Sequence, residues 1–256
     1  MSKADTVKTA VITGYGINAD RELERAFIIA GSDAQRIHIQ DLIENPALLK
    51  NYHILAFPGG FSFGDHIGSG LVFAHLFKKH LKEELESFIN DGKLIIGICN
   101  GFQVLVKMGV LPNFGEDWSP DVSLIHNNTG LFENSWLTVS FNNDSKCIWT
   151  KGLDEMDVPI RHGEGRFITS SENVLDKIEE ENLVALRYLD RNPNGSVNNI
   201  AGLTDRTGRI LGLMPHPEAF LCRENHPGWA SGDITEGAGL KIFKNGVQYV
   251  KNSLCR

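Results

Sequence analysis

Five residues constrain this chain more than any others: the pentapeptide GICNG at 97–101. It joins the apolar run KLIIGI at 93–98 to a segment, 101–108, with helical spacing of its apolar residues. A glycine–x–nucleophile–x–glycine turn between strand and helix forces its central residue into a strained conformation. Its glycines are needed because neighbouring backbone leaves no room for a Cβ. Cys99 is that central residue. Such a turn presents a thiol at the carboxyl edge of a sheet and the start of a helix. The helix N-terminus favours a thiolate and offers the Asn100 amide as a donor to an oxyanion. By chance alone the pattern arises in roughly one such chain in twenty-five, so context has to support it.

The context is an alternation of strands and helices. Apolar runs at 9–14, 36–39, 53–57 and 93–98 read as strands. Helical patterns fill 20–30, with Asp20 as N-cap and Gly31 as stop, then 71–90 and 101–108. This order predicts an α/β protein with an open, mostly parallel sheet and helices on both faces. The second half reads more strand-rich: 137–141, 158–168, 183–189, 200–204 and 210–214 are candidate strands, with helices at 172–181 and 239–251. With 256 residues, 41% of them hydrophobic, and no linker-like run, the chain is expected to form one domain over 1–256.

A cysteine nucleophile needs a base, and the base needs an orienting group. Two H-x-E patterns offer both: HGE at 162–164 and HPE at 216–218. The spacing decides nothing, because H-x-E occurs by chance in about half of such chains. Position decides. His216 lies between Pro215 and Pro217 directly after the apolar run 210–214, at a strand's carboxyl end, where a parallel sheet places its ligands. His162 falls inside the extended pattern 158–168. His216 is therefore expected as base and Glu218 as its orienter. A third segment, PGGFSFGD at 58–65, ends another strand at that edge, and its glycines let backbone N–H groups approach a substrate oxygen. It is followed by no G-K-[ST], so it is not a P-loop, and the first βα turn, GYGINA at 14–19, lacks the dinucleotide fingerprint.

The formal charge of −7 argues against a nucleic-acid surface. The basic cluster Lys78, Lys79, His80 and Lys82 runs straight into Glu83, Glu84 and Glu86, which reads as the solvated face of a helix. Residues 1–8 are polar, no run reaches the length of a membrane span, and the four cysteines are far apart. A cytoplasmic protein with reduced thiols, bound to neither membrane nor nucleic acid, is the expectation.

Five segments in order, FPGGFSFGD at 57–65, GICNGFQ at 97–103, HGEGRF at 162–167, NPNGSVNNIAG at 192–202 and GLMPHPE at 212–218, resemble the class I, or triad, glutamine amidotransferases. Among these they are similar to the glutaminase subunits of phosphoribosylformylglycinamidine synthase, of de novo purine synthesis. The resemblance spans essentially the whole chain and implies a flavodoxin-like fold. It also implies a Cys99–His216–Glu218 triad that hydrolyses glutamine through a thioester, with an oxyanion hole from the Gly60 and Asn100 amides. Gly59, Phe61, Gln103, Gly165 and Arg166 are implied to bind the substrate. The resemblance implies no metal or cofactor on this chain. ATP and magnesium are expected on a partner synthetase subunit that receives the ammonia, with a small accessory subunit bridging the two. Two stretches depart from the family pattern, HIGSG at 66–70 and Ala219-Phe220 after the HPE, and neither touches the triad. Alternatives are an amidotransferase of another pathway, a peptidase-like hydrolase of similar fold, and a non-catalytic relative.

Overall fold

A computed structural model of the protein describes residues 6–115, 117–234 and 236–255, so the polar N-terminal stretch is described from Thr6 on. The first half builds β1 (Lys8–Thr13), α1 (Asp20–Ile29), β2 (Asp33–His38), α2 (Ile39–Glu44) and β3 (Ile54–Phe57). It continues through α3 (Leu71–His80), α4 (Lys82–Asn90), β4 (Leu94–Ile98) and α5 (Asn100–Met108). The second half adds β5 (Val122–Ile125), β6 (Glu133–Phe141), β7 (Glu155–His162), β8 (Arg166–Thr169), α6 (Glu172–Glu180), β9 (Val184–Tyr188), β10 (Ile200–Thr204), β11 (Ile210–Leu213) and α7 (Leu240–Ser253).

Nine strands form one sheet in the order β2-β1-β3-β4-β11-β10-β9-β6-β7. The ladders from β2 to β11 are parallel, and those from β11 to β7 are antiparallel. Seven of the nine strands thus point one way, with β10 and β6 running against them. The buried strands β3, β4 and β11 are apolar throughout, as a strand covered on both faces must be. The β1-to-β2 and β3-to-β4 crossovers step in opposite directions. Right-handedness therefore puts α1 on one face and α3 and α4 on the other. Aromatic clusters fasten the two layers. Phe27 of α1 packs on Phe243 of α7 (5.2 Å between ring centres), and Phe57 of β3 packs on Phe77 of α3 (5.0 Å). Each pair contributes about 0.5–1.5 kcal/mol beyond area burial.

The two crossovers diverge between β1 and β3, and there the loops after these strands meet. Phe61 N–H donates to Gly16 O (2.8 Å), and Phe63 N–H donates to Tyr15 O (2.8 Å). This crevice at the carboxyl ends of parallel strands is where open α/β sheets bind ligands. The antiparallel extension folds back over it. Pro159 O of β7, at the far end of the sheet order, accepts His216 N–H at 2.8 Å.

The structure corrects several expectations. The helix foreseen over 71–90 breaks at Leu81, whose φ is −132° and whose side chain is fully buried. The mixed charge run is the reason. Lys78, Lys79 and His80 fill the last turn of α3, and Glu83 and Glu84 fill the first turn of α4, each matched to the local helix dipole. The strand foreseen over 158–168 is two strands. β7 ends at His162, and β8 leaves the main sheet to pair with β5. Asp20 is not the N-cap of α1, which is Ala19. Asp20 instead pairs with Arg36 of β2 at 3.2 Å.

Candidate active site

Cys99 adopts φ +52°, ψ −106°, between β4 and α5. The tightness of this turn accounts for both of its glycines. A Cβ on Gly101 would lie 2.0 Å from Phe57 O, and one on Gly97 would lie 2.6 Å from Gly101 O. The thiol is almost wholly buried, and its Sγ donates to Arg161 O at 3.6 Å. Asn100 is the first residue of α5, so its N–H has no partner within the helix.

His216 follows β11, which lies beside β4 with Leu213 opposite Ile98. The ladder continues one step, Cys99 N–H donating to Leu213 O at 2.8 Å, so neighbouring strands bring the thiol and the imidazole to one place. His216 Nδ1 donates to Glu218 Oε1 at 2.6 Å, and both side chains are buried. That bond fixes the tautomer and leaves Nε2 as the reacting nitrogen. Nε2 is buried and without a hydrogen-bond partner. A Cβ placed on Gly59 would touch His216 Cε1 at 2.8 Å and Cys99 Cβ at 3.5 Å, so ring and thiol flank the same glycine. Burial alone would push the His216 imidazole down. The Glu218 carboxylate, with Cys99 beside it, outweighs burial and raises the ring's affinity for a proton.

His162 behaves differently. It is 2% exposed, and Asn127 Oδ1 lies 3.1 Å from its Nδ1. Burial and the nearby His216 push it down to about 4, so it is neutral at pH 7. The unfolded chain binds this proton below about pH 6.5 and the folded chain does not. Stability therefore falls as pH drops from 6.5 towards 4, by up to about 3 kcal/mol. His162→Gln is expected to flatten the melting temperature between pH 7.5 and pH 5 relative to wild type. Equal acid sensitivity of the two proteins in a thermal melt would contradict this assignment.

A cavity of about 410 Å³ opens at the triad, lined by Gly60, Phe61, Cys99 and His216 together with Asn18, Ala19, Glu22, Phe132, Asn134 and Arg161. Gly60, expected to donate to the oxyanion, has φ +148°, and any Cβ there would meet Gly16 O at 2.7 Å. Gly59 lies against Cys99 and His216, and Gly60 lines the cavity with them.

Gln103, Gly165 and Arg166 are not among the cavity's lining residues. Gln103 Oε1 accepts Asn100 Nδ2 (2.9 Å), and Gln103 Nε2 donates to Glu164 O. Gly165 N–H donates to Asn127 Oδ1 (3.1 Å), and Arg166 Nε donates to Gly195 O (3.2 Å). These residues brace the turn at 192–196 and the base of α5. Sequence reasoning did not find Glu22, Phe132, Asn134 or Arg161. Each sits in an ordinary amphipathic or mixed stretch with no local signal of function.

The model of the CobB/CobQ-like glutamine amidotransferase domain matches residues 6–250. The chain belongs to this family. Phosphoribosylformylglycinamidine synthase subunit PurQ of Dehalococcoides mccartyi is 41% identical to it, over 96% of this chain and 98% of the relative. PurQ of Methanococcus maripaludis is also 41% identical, over 94% and 97%. Among solved structures, a chain of PurLQS from Thermotoga maritima superposes with a TM-score of 0.74 at 28% identity, covering 96% of this amidotransferase and 99% of that chain. Among the described residues no helix is long and apolar enough to cross a membrane.

Proposed function

We propose that this chain is the glutaminase subunit of phosphoribosylformylglycinamidine synthase, acting in the cytoplasm. The observation that carries the reading is the buried Cys99–His216–Glu218 constellation opening on one cavity, in a chain matched end to end by PurQ relatives. Cys99 gives its proton to His216 Nε2, and the sulfur attacks the side-chain amide carbon of glutamine. The Gly60 and Asn100 N–H groups hold the oxyanion. Protonated His216 returns its proton to the amide nitrogen as the C–N bond breaks, releasing ammonia and leaving a glutamyl thioester. Water, deprotonated by His216, then cleaves the thioester to glutamate and restores the thiol.

The ammonia passes to a synthetase subunit, where ATP and magnesium act and formylglycinamide ribonucleotide is converted to formylglycinamidine ribonucleotide. A small accessory subunit completes the assembly. Reconstitution with that synthetase and amide-¹⁵N glutamine tests the reading. The label is expected in the ribonucleotide product. Glutamine hydrolysis in the complex with no label in the product would refute it.

Isolated chain is expected to hydrolyse glutamine about 10²–10³ times more slowly than the complex loaded with ATP analogue and acceptor, the usual worth of one oxyanion donor. The loop at 58–70 is the element positioned to supply that difference. Phe63 (φ 55°) and Asp65 (φ 53°) sit in a left-handed conformation that costs non-glycine residues roughly 1–2 kcal/mol each, and a partner contact can tip such a segment. Equal turnover by free chain and loaded complex would remove gating from the account.

A further inference from the structure

We propose that the cavity between the β6–β7 connection and α7 is a binding site for a phosphate monoester of about mononucleotide size, held by Lys146 and Lys151. The site is separate from the chemistry at Cys99 and does not depend on the glutaminase reading. Its volume is about 570 Å³, within the roughly 300–1,000 Å³ usual for small-molecule sites. β6 runs against β11, so the segment after Phe141 lies at the edge where the parallel strands begin. Trp149 Nε1 donates there to Arg209 O at 3.0 Å, one residue before β11. Cys99 and His216 stand at the opposite edge.

The walls of this cavity are pinned in place. Asn245 Nδ2 donates to Trp149 O and to Lys151 O, each at 2.9 Å. Ile148 N–H donates to Gly208 O at 2.9 Å, and a Cβ on Gly208 would lie 2.0 Å from Lys146 O. The backbone under both lysines is therefore seated, and their ammonium groups are left for a ligand. Neither forms an ion pair among the described residues. The chain carries 32 acidic against 25 basic side chains, yet no Asp or Glu lines this cavity. Four other cavities, of about 160–480 Å³, are each lined by at least one carboxylate. Of the carboxylates beside it, Glu181 is taken by Arg206 at 2.6 and 2.7 Å, and Asp154 accepts Asn143 Nδ2 at 2.8 Å. Two cations match a dianion better than a single carboxylate, and lysine binds phosphate as a point charge. Ser145 Oγ accepts Cys147 N–H at 3.4 Å and keeps its own proton to donate, and Tyr249 O–H has no partner among the described residues. The amide oxygens of Asn245 and Gln248 are likewise open, as acceptors for hydroxyl groups on the organic part of the ester.

The test is titration calorimetry on the full chain with AMP, ribose 5-phosphate, inorganic phosphate and adenosine. AMP and ribose 5-phosphate are expected to bind one per chain, and adenosine about 100-fold more weakly than AMP or not at all, since it lacks the dianion. Lys146→Met and Lys151→Met are each expected to weaken AMP about 10–100-fold, the worth of one hydrogen bond to a charged group. Lys151→Arg, which keeps the charge, stays within about 3-fold of wild type. Both methionine variants keep the aliphatic stem on an exposed residue, so their melting temperatures without ligand should match the wild type. Acetylation of lysines followed by mass spectrometry gives the location. AMP at ten times its Kd fills roughly nine sites in ten and should slow acetylation of Lys146 and Lys151 about 10-fold. Lys50 and Lys93, which line a different cavity, should react at the unliganded rate. No binding of either ester at about 10 mM overturns the proposal. So do wild-type affinity in both methionine variants, protection of other lysines instead, and adenosine binding as tightly as AMP. Inorganic phosphate binding as tightly as either ester would leave a free-anion site and overturn the monoester. None of these readouts involves Cys99, so failure here leaves the glutaminase reading standing.

Discussion

Cys99→Ser is expected to stop glutamine-dependent synthesis by the assembled enzyme, with a loss on the order of 10⁴–10⁶-fold, while ammonia-dependent synthesis continues at the wild-type rate. The substitution exchanges sulfur for oxygen at a position whose backbone is set by its neighbours. The φ of +52° belongs to a turn held by the close approach of Phe57 O to Gly101 and by the Cys99 N–H bond to Leu213 O, and serine disturbs neither. The fold and the partner's surface are thus preserved. What is lost is the polarisable, easily ionised atom that attacks the amide. Serine has no comparable thiolate to offer at neutral pH, so the same base has a far weaker nucleophile to activate. Glutaminase turnover and ammonia-driven synthesis, measured on one preparation, give the answer. Undiminished glutamine hydrolysis by the serine variant would end the assignment of Cys99 as nucleophile.

His216→Ala should cost about 10²–10⁴-fold in glutaminase rate, and His162→Ala should cost far less. The two histidines share a sequence pattern, and His216 lies close enough to depress the protonation of His162, yet their hydrogen bonds assign them opposite roles. His216 has a carboxylate on Nδ1 and a free Nε2 beside the thiol, so it can take and return a proton. His162 faces the neutral amide of Asn127, is forced neutral at pH 7, and has no carboxylate to stabilise a cation. Removing the first ring deletes base and acid together. Removing the second leaves a void beneath the turn at 163–165 and acts through packing. Rates of both variants within the complex, compared with their melting temperatures, separate the two effects. Losses of equal size, with stability intact, would show that His162 takes part in the chemistry.

The grouping of Cys99, His216 and Glu218 was legible in the sequence because each of its parts is local. GICNG is short, and its glycines are dictated by backbone contacts only 2.0–2.6 Å from where a Cβ would be. The two prolines around His216 lie within one residue of it. The strands β3, β4 and β11 could be read because burial on both faces leaves an uninterrupted apolar run. What the sequence hid was long-range. The turn at 163–165 is Gly-Glu-Gly, but apolar residues on both sides of it made β7 and β8 read as one strand. The break at Leu81 falls inside a continuous apolar periodicity and shows only in the change of charge sign across it. The strand β2, half-exposed at the sheet edge, gave a weak signal and a displaced boundary. The wall formed by Glu22 and Arg161 joins residues 139 positions apart, from a helix at one end of the sheet and a strand at the other, and no spacing rule connects them.

The attachment of Cys99 and His216 to adjacent, fully buried strands has a consequence for how the enzyme fails. Cys99 directly follows β4 and His216 comes three residues after β11, and these paired strands lie in the middle of the sheet, the region expected to open last. The spacing of nucleophile and base therefore carries the full unfolding free energy behind it and has no low-energy way to drift. A destabilising substitution in a remote part of the core should reduce the fraction of chains that can be titrated at the active thiol, while turnover per titrated site stays constant. Damage to this enzyme is counted in molecules, and only changes on the loop side of the cavity are graded in rate.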